Sequence, residues 1–170
     1  MMLRRFLLPS FLVSIDAWIR YRCRISPRAE VEWSGNLRVG SGVTVSSFCK
    51  IKCAGPLEIG AGTQIAPGCF ITAHAGGLRI GRDCMIGPNA TIAANNYRYD
   101  DLDVPIRLQE QVSAGIVIGD NVWIAAGCVV LDGAQIGNGT IVTPNSVVSG
   151  RIPENSVLQG NPAKAIFTRR

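Results

Sequence analysis

The sequence predicts an all-β domain wound as a parallel β-helix of triangular section. It should hold about five coils, with an N-terminal helical arm and a short C-terminal segment. Three observations carry this reading. Aliphatic residues recur every six positions from Val39 to Val148. The places between them repeat one chemistry. The interruptions of the count all fall after a third hexad.

Written out, there are fifteen hexads in five groups of three. The first set reads VGSGVT from Val39, IGAGTQ from Ile59, IGRDCM from Ile80, IGDNVW from Ile118 and IGNGTI from Ile136. The second starts at Val45, Ile65, Ile86, Ile124 and Val142, the third at Ile51, Ile71, Ile92, Val130 and Val148. A fixed period of this kind is the signature of a solenoid. A mostly β-branched residue every six points inward and packs on its counterpart one coil away. Glycine, asparagine and aspartate at the fourth place suit the positive φ of a tight corner. The fifth place holds small residues, among them Cys49, Cys69, Cys84 and Cys128, which read as core fillers. Three short strands and three corners make one coil, stacked about 4.8 Å from the next.

Three insertions break the count: Leu57–Glu58 adds two residues, Gly77–Arg79 three, and Arg98–Val117 twenty. All three leave from one corner. Long loops retained by a compact domain are usually functional, so the site belongs here.

At 170 residues with 47% apolar and 17% charged content, the chain is most simply a single folded domain. Its net charge of +5 lies wholly in residues 1–28, where six arginines face Asp16 alone. A nucleic-acid binder spreads basic groups over its folded face, so nucleic acid is not an expected partner. The arm is too short in apolar run to span a bilayer. Two uses stay open for it: a helix capping the exposed end of the core, and peripheral contact with an anionic membrane. Residues 29–152 then form the β-helix with its loop at 98–117, and 153–170 a C-terminal cap. Six cysteines without a CxxC pair read as reduced thiols. That implies a cytoplasmic protein, at the inner face of the membrane if the arm binds lipid.

The stretch IGDNVWIAAGCVVLDGAQIGNGTIVTPNSVV, followed by IPENSVLQGNPAKAI, resembles the hexapeptide-repeat acyltransferases. The nearer branch is that of the galactoside, xenobiotic and polysaccharide O-acetyltransferases. The resemblance spans roughly residues 30–167 and implies a left-handed coil. It also implies a homotrimer with acetyl-CoA bound in clefts between subunits, a sugar hydroxyl as acceptor, and no metal. A zinc enzyme with three histidine ligands cannot be built from a single histidine per chain.

Members of this family carry H-x-[YF]-x-D-x-x-x-P-I-x-x-Q in the loop. Here Tyr99, Asp101, Pro105, Ile106 and Gln109 match, but Tyr97 stands in the histidine's place. Aligned instead on Ala-Asn-His wording, Asn96 stands there. Asparagine accepts no proton at neutral pH, and a tyrosine with a reference pKa of about 10 does so only if strongly perturbed. The hexad count offers a replacement. His74 and Asn95 are both fourth residues of third-set hexads, so they stack at one corner, one coil apart. The catalytic candidates are therefore His74, Asn96 and Tyr97. On the cofactor side the resemblance assigns Ala126, Pro144 and Ser149 to the pantetheine cleft and Lys164 to the CoA phosphates, where a cation acts as a point charge. Gly150 stands where some members have lysine.

The expected function is acetyl-CoA-dependent O-acetylation of a sugar hydroxyl in surface polysaccharide or lipid-linked glycan synthesis. The alternative is a non-catalytic trimeric relative that has lost the base.

Overall fold

The computed structural model describes residues 9–170. Three parallel sheets face one another as the sides of a prism. On the first face Val39, Ile59, Ile80, Ile118, Ile136 and Ile152 stack in register. On the second, the column runs Ile25, Val45, Ile65, Ile86, Ile124, Val142, Leu158. On the third it runs Val31, Ile51, Ile71, Ile92, Val130, Val148. Nearly all of these side chains are buried, and together they form the core. Each removes a branched aliphatic chain from water, worth about 1.5–3 kcal/mol.

The coil is longer than the hexad count predicts. Ile25 and Val31 add rungs below Val45 and Ile51, so stacking begins inside the segment assigned to the arm. Ile152 and Leu158 add rungs at the other end, so stacking runs on into the segment assigned to the cap. Val31 and Ile152 are only half-buried, and Arg28 occupies the fourth place of the Ile25 hexad, so the pattern fades at both ends.

Corner chemistry follows the predicted rule at the first–second and second–third corners. From Gly42 to Asn155, fourth-place residues there have φ between 54° and 75°, including Gly68, Asp83 and Asn121. Phe48 is the departure, a bulky residue at φ 63° and 69% exposed. The fifth-place cysteines do more than fill space. Cys49 Sγ donates to the Ala66 carbonyl at 3.1 Å, Cys69 to Gly87 at 3.1 Å, Cys84 to Gly119 at 3.1 Å and Cys128 to Thr143 at 3.1 Å. Thr63 Oγ1 makes the same bond to Gly81 at 2.8 Å. In each case a corner carbonyl of the next coil gains a donor.

Helix α1 (Ser10–Tyr21) closes the lower end of the prism, burying Val13 and Ala17. The expected capping role is thus observed for the described part of the arm; Arg4 and Arg5 lie outside the described residues. At the upper end Ala163–Thr168 folds back antiparallel on Ser156–Gly160. No helix among the described residues is long and apolar enough to cross a membrane.

Candidate active site

All the added length sits at the third–first corner, but not at the residues the count assigned to it. Leu57, Leu78 and Ile116 are buried strand residues paired in register, so the extra residues precede them. The long loop leaves the corner after Ala94 and returns at Gly115. Asn96–Tyr97 pairs antiparallel with Gln111–Val112, and Arg98 N–H extends the ribbon to the Glu110 carbonyl at 2.9 Å.

The rest of the loop is held by its own side chains. Gln109 Nε2 donates to the carbonyls of Asp101 at 2.7 Å and Val104 at 2.8 Å. The Asp101 carboxylate accepts the Asp103 N–H at 3.0 Å. Arg98 grips Asp100 through two bonds of 3.1 and 2.6 Å, and this guanidinium holds the Asp100 carboxyl below its ordinary range. The acid and glutamine of the loop motif therefore shape the loop.

The loop base is pinned by residues that the hexad pattern does not mark. Ser113 Oγ donates to the Ala94 carbonyl at 2.6 Å and accepts the Gly76 N–H at 3.0 Å. Asp132, one coil above, accepts the N–H groups of Ala114 at 2.8 Å and Gly115 at 2.9 Å. Gly115 has φ 83°, and a Cβ there would strike the Gly76 carbonyl oxygen, so only glycine fits.

His74 lies at this same corner, half-buried, its carbonyl accepting the Gly77 N–H at 2.8 Å. Carried on from Thr72↔Ala93, the register places it beside Asn95, immediately before the loop. Asn96 is exposed, and its Oδ1 accepts the Tyr97 N–H at 2.9 Å, which leaves its Nδ2 free to donate outward. The Tyr97 hydroxyl oxygen accepts from Gln111 Nε2 at 2.7 Å, leaving its own hydrogen to be donated. His74, Asn96 and Tyr97 are thus brought to one corner. Beside it a groove of about 520 Å³ runs along the first face, lined in part by Arg38, Glu58, Gly76, Gly77 and Arg79.

Ala126 and Pro144 lie elsewhere, on successive coils of the second–third corner, where Asn145 N–H donates to the Ala126 carbonyl at 2.9 Å. Lys164 is exposed near the start of the last strand. The turn before it docks at that corner too, through Gly160 N–H on Ser146 Oγ at 3.1 Å. Ser149 is exposed just after Val147–Val148, at the third–first corner. A single chain therefore holds Ala126, Pro144 and Lys164 along one edge, and Ser149 with the histidine along another.

A profile of the bacterial transferase hexapeptide family (six repeats) matches residues 115–150. The Escherichia coli protein WbbJ, assigned to lipopolysaccharide biosynthesis as an O-acetyl transferase, is 33% identical over 155 residues. That match covers 87% of this chain and 76% of WbbJ. The chain belongs to the hexapeptide-repeat acyltransferases. Galactoside O-acetyltransferase of Lactococcus lactis is 36% identical over 84 residues, 49% of this acyltransferase and 39% of that enzyme. Among solved structures, the N-acyltransferase AntD of Bacillus cereus, in complex with dTDP and coenzyme A, aligns with a TM-score of 0.79 at 19% identity. It covers 92% of this chain and 88% of its own. GDP-perosamine N-acetyl transferase of Caulobacter crescentus, in complex with CoA and GDP-perosamine, gives 0.65 at 26%, covering 85% and 56%. The fold is the left-handed β-helix that the resemblance implies.

For this acyltransferase the cysteines offer no nucleophile. All six are buried, and burial pushes the Cys23, Cys84 and Cys128 thiols up. Among the described residues, no group of three or more His, Cys, Asp and Glu side chains is placed to hold a metal ion. The second–third edge fits an acyl-CoA donor chemically. Ala126 and Pro144 put no long side chain across it, and the exposed Lys164 ammonium supplies a cation for a phosphate.

Sequence reasoning missed Ser113, Gln111 and Asp132. Asp132 alone left a signal, as the acid of a Leu-Asp-Gly corner one coil above the loop.

Proposed function

We propose that this acyltransferase moves an acetyl group from acetyl-CoA to a sugar hydroxyl, with His74 as the general base. The observation that carries the reading is the register that sets His74 beside Asn95, at the foot of the loop. No other imidazole exists in the chain, and the residues standing in the family histidine's place are hydrogen-bond donors.

In this mechanism the His74 imidazole accepts the proton as the acceptor oxygen attacks the thioester carbonyl. The tetrahedral intermediate collapses with cleavage of the C–S bond, and the CoA thiolate takes the proton back from the imidazolium. Asn96 Nδ2 and the Tyr97 hydroxyl orient the acceptor by donating to its neighbouring oxygens. Ala126, Pro144 and Ser149 line the pantetheine path, and Lys164 neutralises CoA phosphate. The donor edge and the histidine corner are separate in one chain, and a homotrimer would bring one protomer's edge against its neighbour's loop. Exposed apolar residues on the loop, Leu102 at 96%, Ile106 at 59% and Leu108 at 60%, support such a contact. The names of WbbJ and the lactococcal enzyme favour oxygen as the accepting atom and a surface polysaccharide or lipid-linked glycan as acceptor. The AntD and perosamine enzymes leave an amino sugar as the competing acceptor class.

Thiol release from acetyl-CoA, followed with a panel of hydroxyl and amino sugars, tests the reading. His74→Ala should lower turnover about 10²–10⁴-fold while CoA binding stays. Undiminished turnover removes His74 from the mechanism. The replaced loop histidine favours a second reading, a non-catalytic trimer, which no turnover by the parent over the whole panel would establish.

A further inference from the structure

Helix α1 is apolar on two opposite sides. Val13 and Ala17 are buried against the first rungs of the prism. At 3.6 residues per turn, Phe11, Ile15, Trp18 and Ile19 fall within one arc of about 100°, opposite that buried side. These four are exposed by 54, 50, 65 and 68%. A surface helix of a globular protein presents polar residues there. Here the polar pair, Asp16 and Arg20, is displaced to a flank, joined at 2.7 Å and tied to Trp33 Nε1 through Asp16 at 3.1 Å.

Basic groups follow the helix. Arg22 caps the helix, and Arg24 and Arg28 follow it; all three are exposed and pair with no carboxylate among the described residues. They belong to the segment that carries the entire net charge of the chain.

We propose that α1 is a docking face for an anionic lipid bilayer. The arc of Phe11, Ile15, Trp18 and Ile19 enters the boundary between headgroups and acyl chains, and Arg22, Arg24 and Arg28 meet the lipid phosphates. Charge complementarity selects this occupant. An anionic bilayer satisfies the apolar arc and the arginines together, whereas a second copy of the same face would set one arginine cluster against another. The placement suits it as well. The helix closes one end of the prism, so docking there leaves the three sheet faces uncovered. The loop corner lies three coils above, about 14 Å at the ordinary strand spacing. In the proposed trimer the three prisms run side by side, and all three helices reach one plane.

Flotation of the full chain with phosphatidylglycerol–phosphatidylcholine vesicles, against phosphatidylcholine alone, tests this without reference to catalysis. The parent should float with the anionic vesicles, not with the neutral ones, and should release as salt rises. Ile15→Glu combined with Ile19→Glu alters only exposed positions; it should weaken binding more than about tenfold at an unchanged melting temperature. Arg22→Gln should weaken it about fivefold. Should the double variant melt lower than the parent, Trp18→Ala serves in its place. The proposal is overturned if the parent ignores anionic vesicles, if binding is indifferent to lipid charge, or if the helix variants bind like the parent. It is equally overturned if those variants change the sedimentation coefficient while the parent stays off vesicles, which would make the arc a protein interface.

Discussion

Asp132→Ala should release the foot of the loop, and the size of the effect follows from two bonds. The carboxylate holds the Gly115 N–H at 2.9 Å and the Ala114 N–H at 2.8 Å. Gly115 is buried, so its N–H would lose a charged acceptor without gaining water, at a cost of about 1.5–3 kcal/mol. Ala114 is exposed and its N–H returns to solvent, adding about 0.5 kcal/mol. Together these give about 2–3.5 kcal/mol. For a chain of this size that lowers Tm by about 4–14 °C, at about 2–4 °C per kcal/mol. Asp132→Asn keeps one acceptor oxygen, enough for the buried N–H, and should lose about 1 kcal/mol. Thermal melts by circular dichroism at matched protein concentration give the order parent, Asn, Ala. Amide exchange at Gly115 should quicken in step. A Tm for Asp132→Ala within about 1 °C of the parent, or an Asn variant worse than Ala, would refute the clamp.

Three further predictions concern corners away from the loop. The Asp120 carboxyl is held below its ordinary range, first by the Arg82 N–H at 2.8 Å and then by the Arg82 guanidinium at 2.9 Å. A depressed carboxylate stabilises the fold above its unfolded pKa of about 3.9 and loses that contribution as pH falls through the folded value. The Tm gap between parent and Asp120→Asn should therefore be full at neutral pH and close in acid; a gap that ignores pH contradicts it. At the second–third corner, the neighbouring Cys69 thiol holds Cys49 below the ordinary thiol range, yet Cys49 is only 1% exposed. Access decides, so maleimide should label no cysteine before unfolding, and labelling of Cys49 at a free-thiol rate would show otherwise. Cys84→Ser should keep the corner bond, and Cys84→Ala should cost about 1 kcal/mol.

The prism was legible because its period is arithmetic. Once Ile71 and Ile92 are paired, His74 and Asn95 must fall at one corner, and the structure keeps that register. The end rungs were less legible. Ile152 and Leu158 keep the six-residue step, with Asn155 at φ 56° and buried Ser156 in the expected places, but they fall where the IPEN turn suggests a stop. The Asn96–Tyr97 ribbon shows no alternation of polar and apolar residues that would announce a strand. Ser113 and Asp132 act across the loop closure, and a local pattern cannot report which distant N–H a side chain meets. The division of Ala126 and Pro144 from Ser149 follows from their places in the hexads; what faces each edge does not.

Why the insertions share one corner has a physical answer in the other two. There, from the Val39 hexad onward, the fourth place is left-handed, and several fifth-place side chains donate to the next coil, as Cys69, Cys84 and Thr63 do. An extra residue would misplace both. At the third–first corner the left-handed residue is a glycine close before the strand that follows: Gly77, Gly115, Gly133 and Gly150. Residues added upstream of that glycine leave the rungs untouched, as Ile80↔Ile118 pairing across the long loop shows. Lengthening such a loop costs little entropy, about 0.6 kcal/mol per doubling. The fold thus carries one corner whose length is free beside two whose chemistry is fixed. A binding loop can lengthen at the free corner without destabilising the core, and the chain's single histidine stands at its foot.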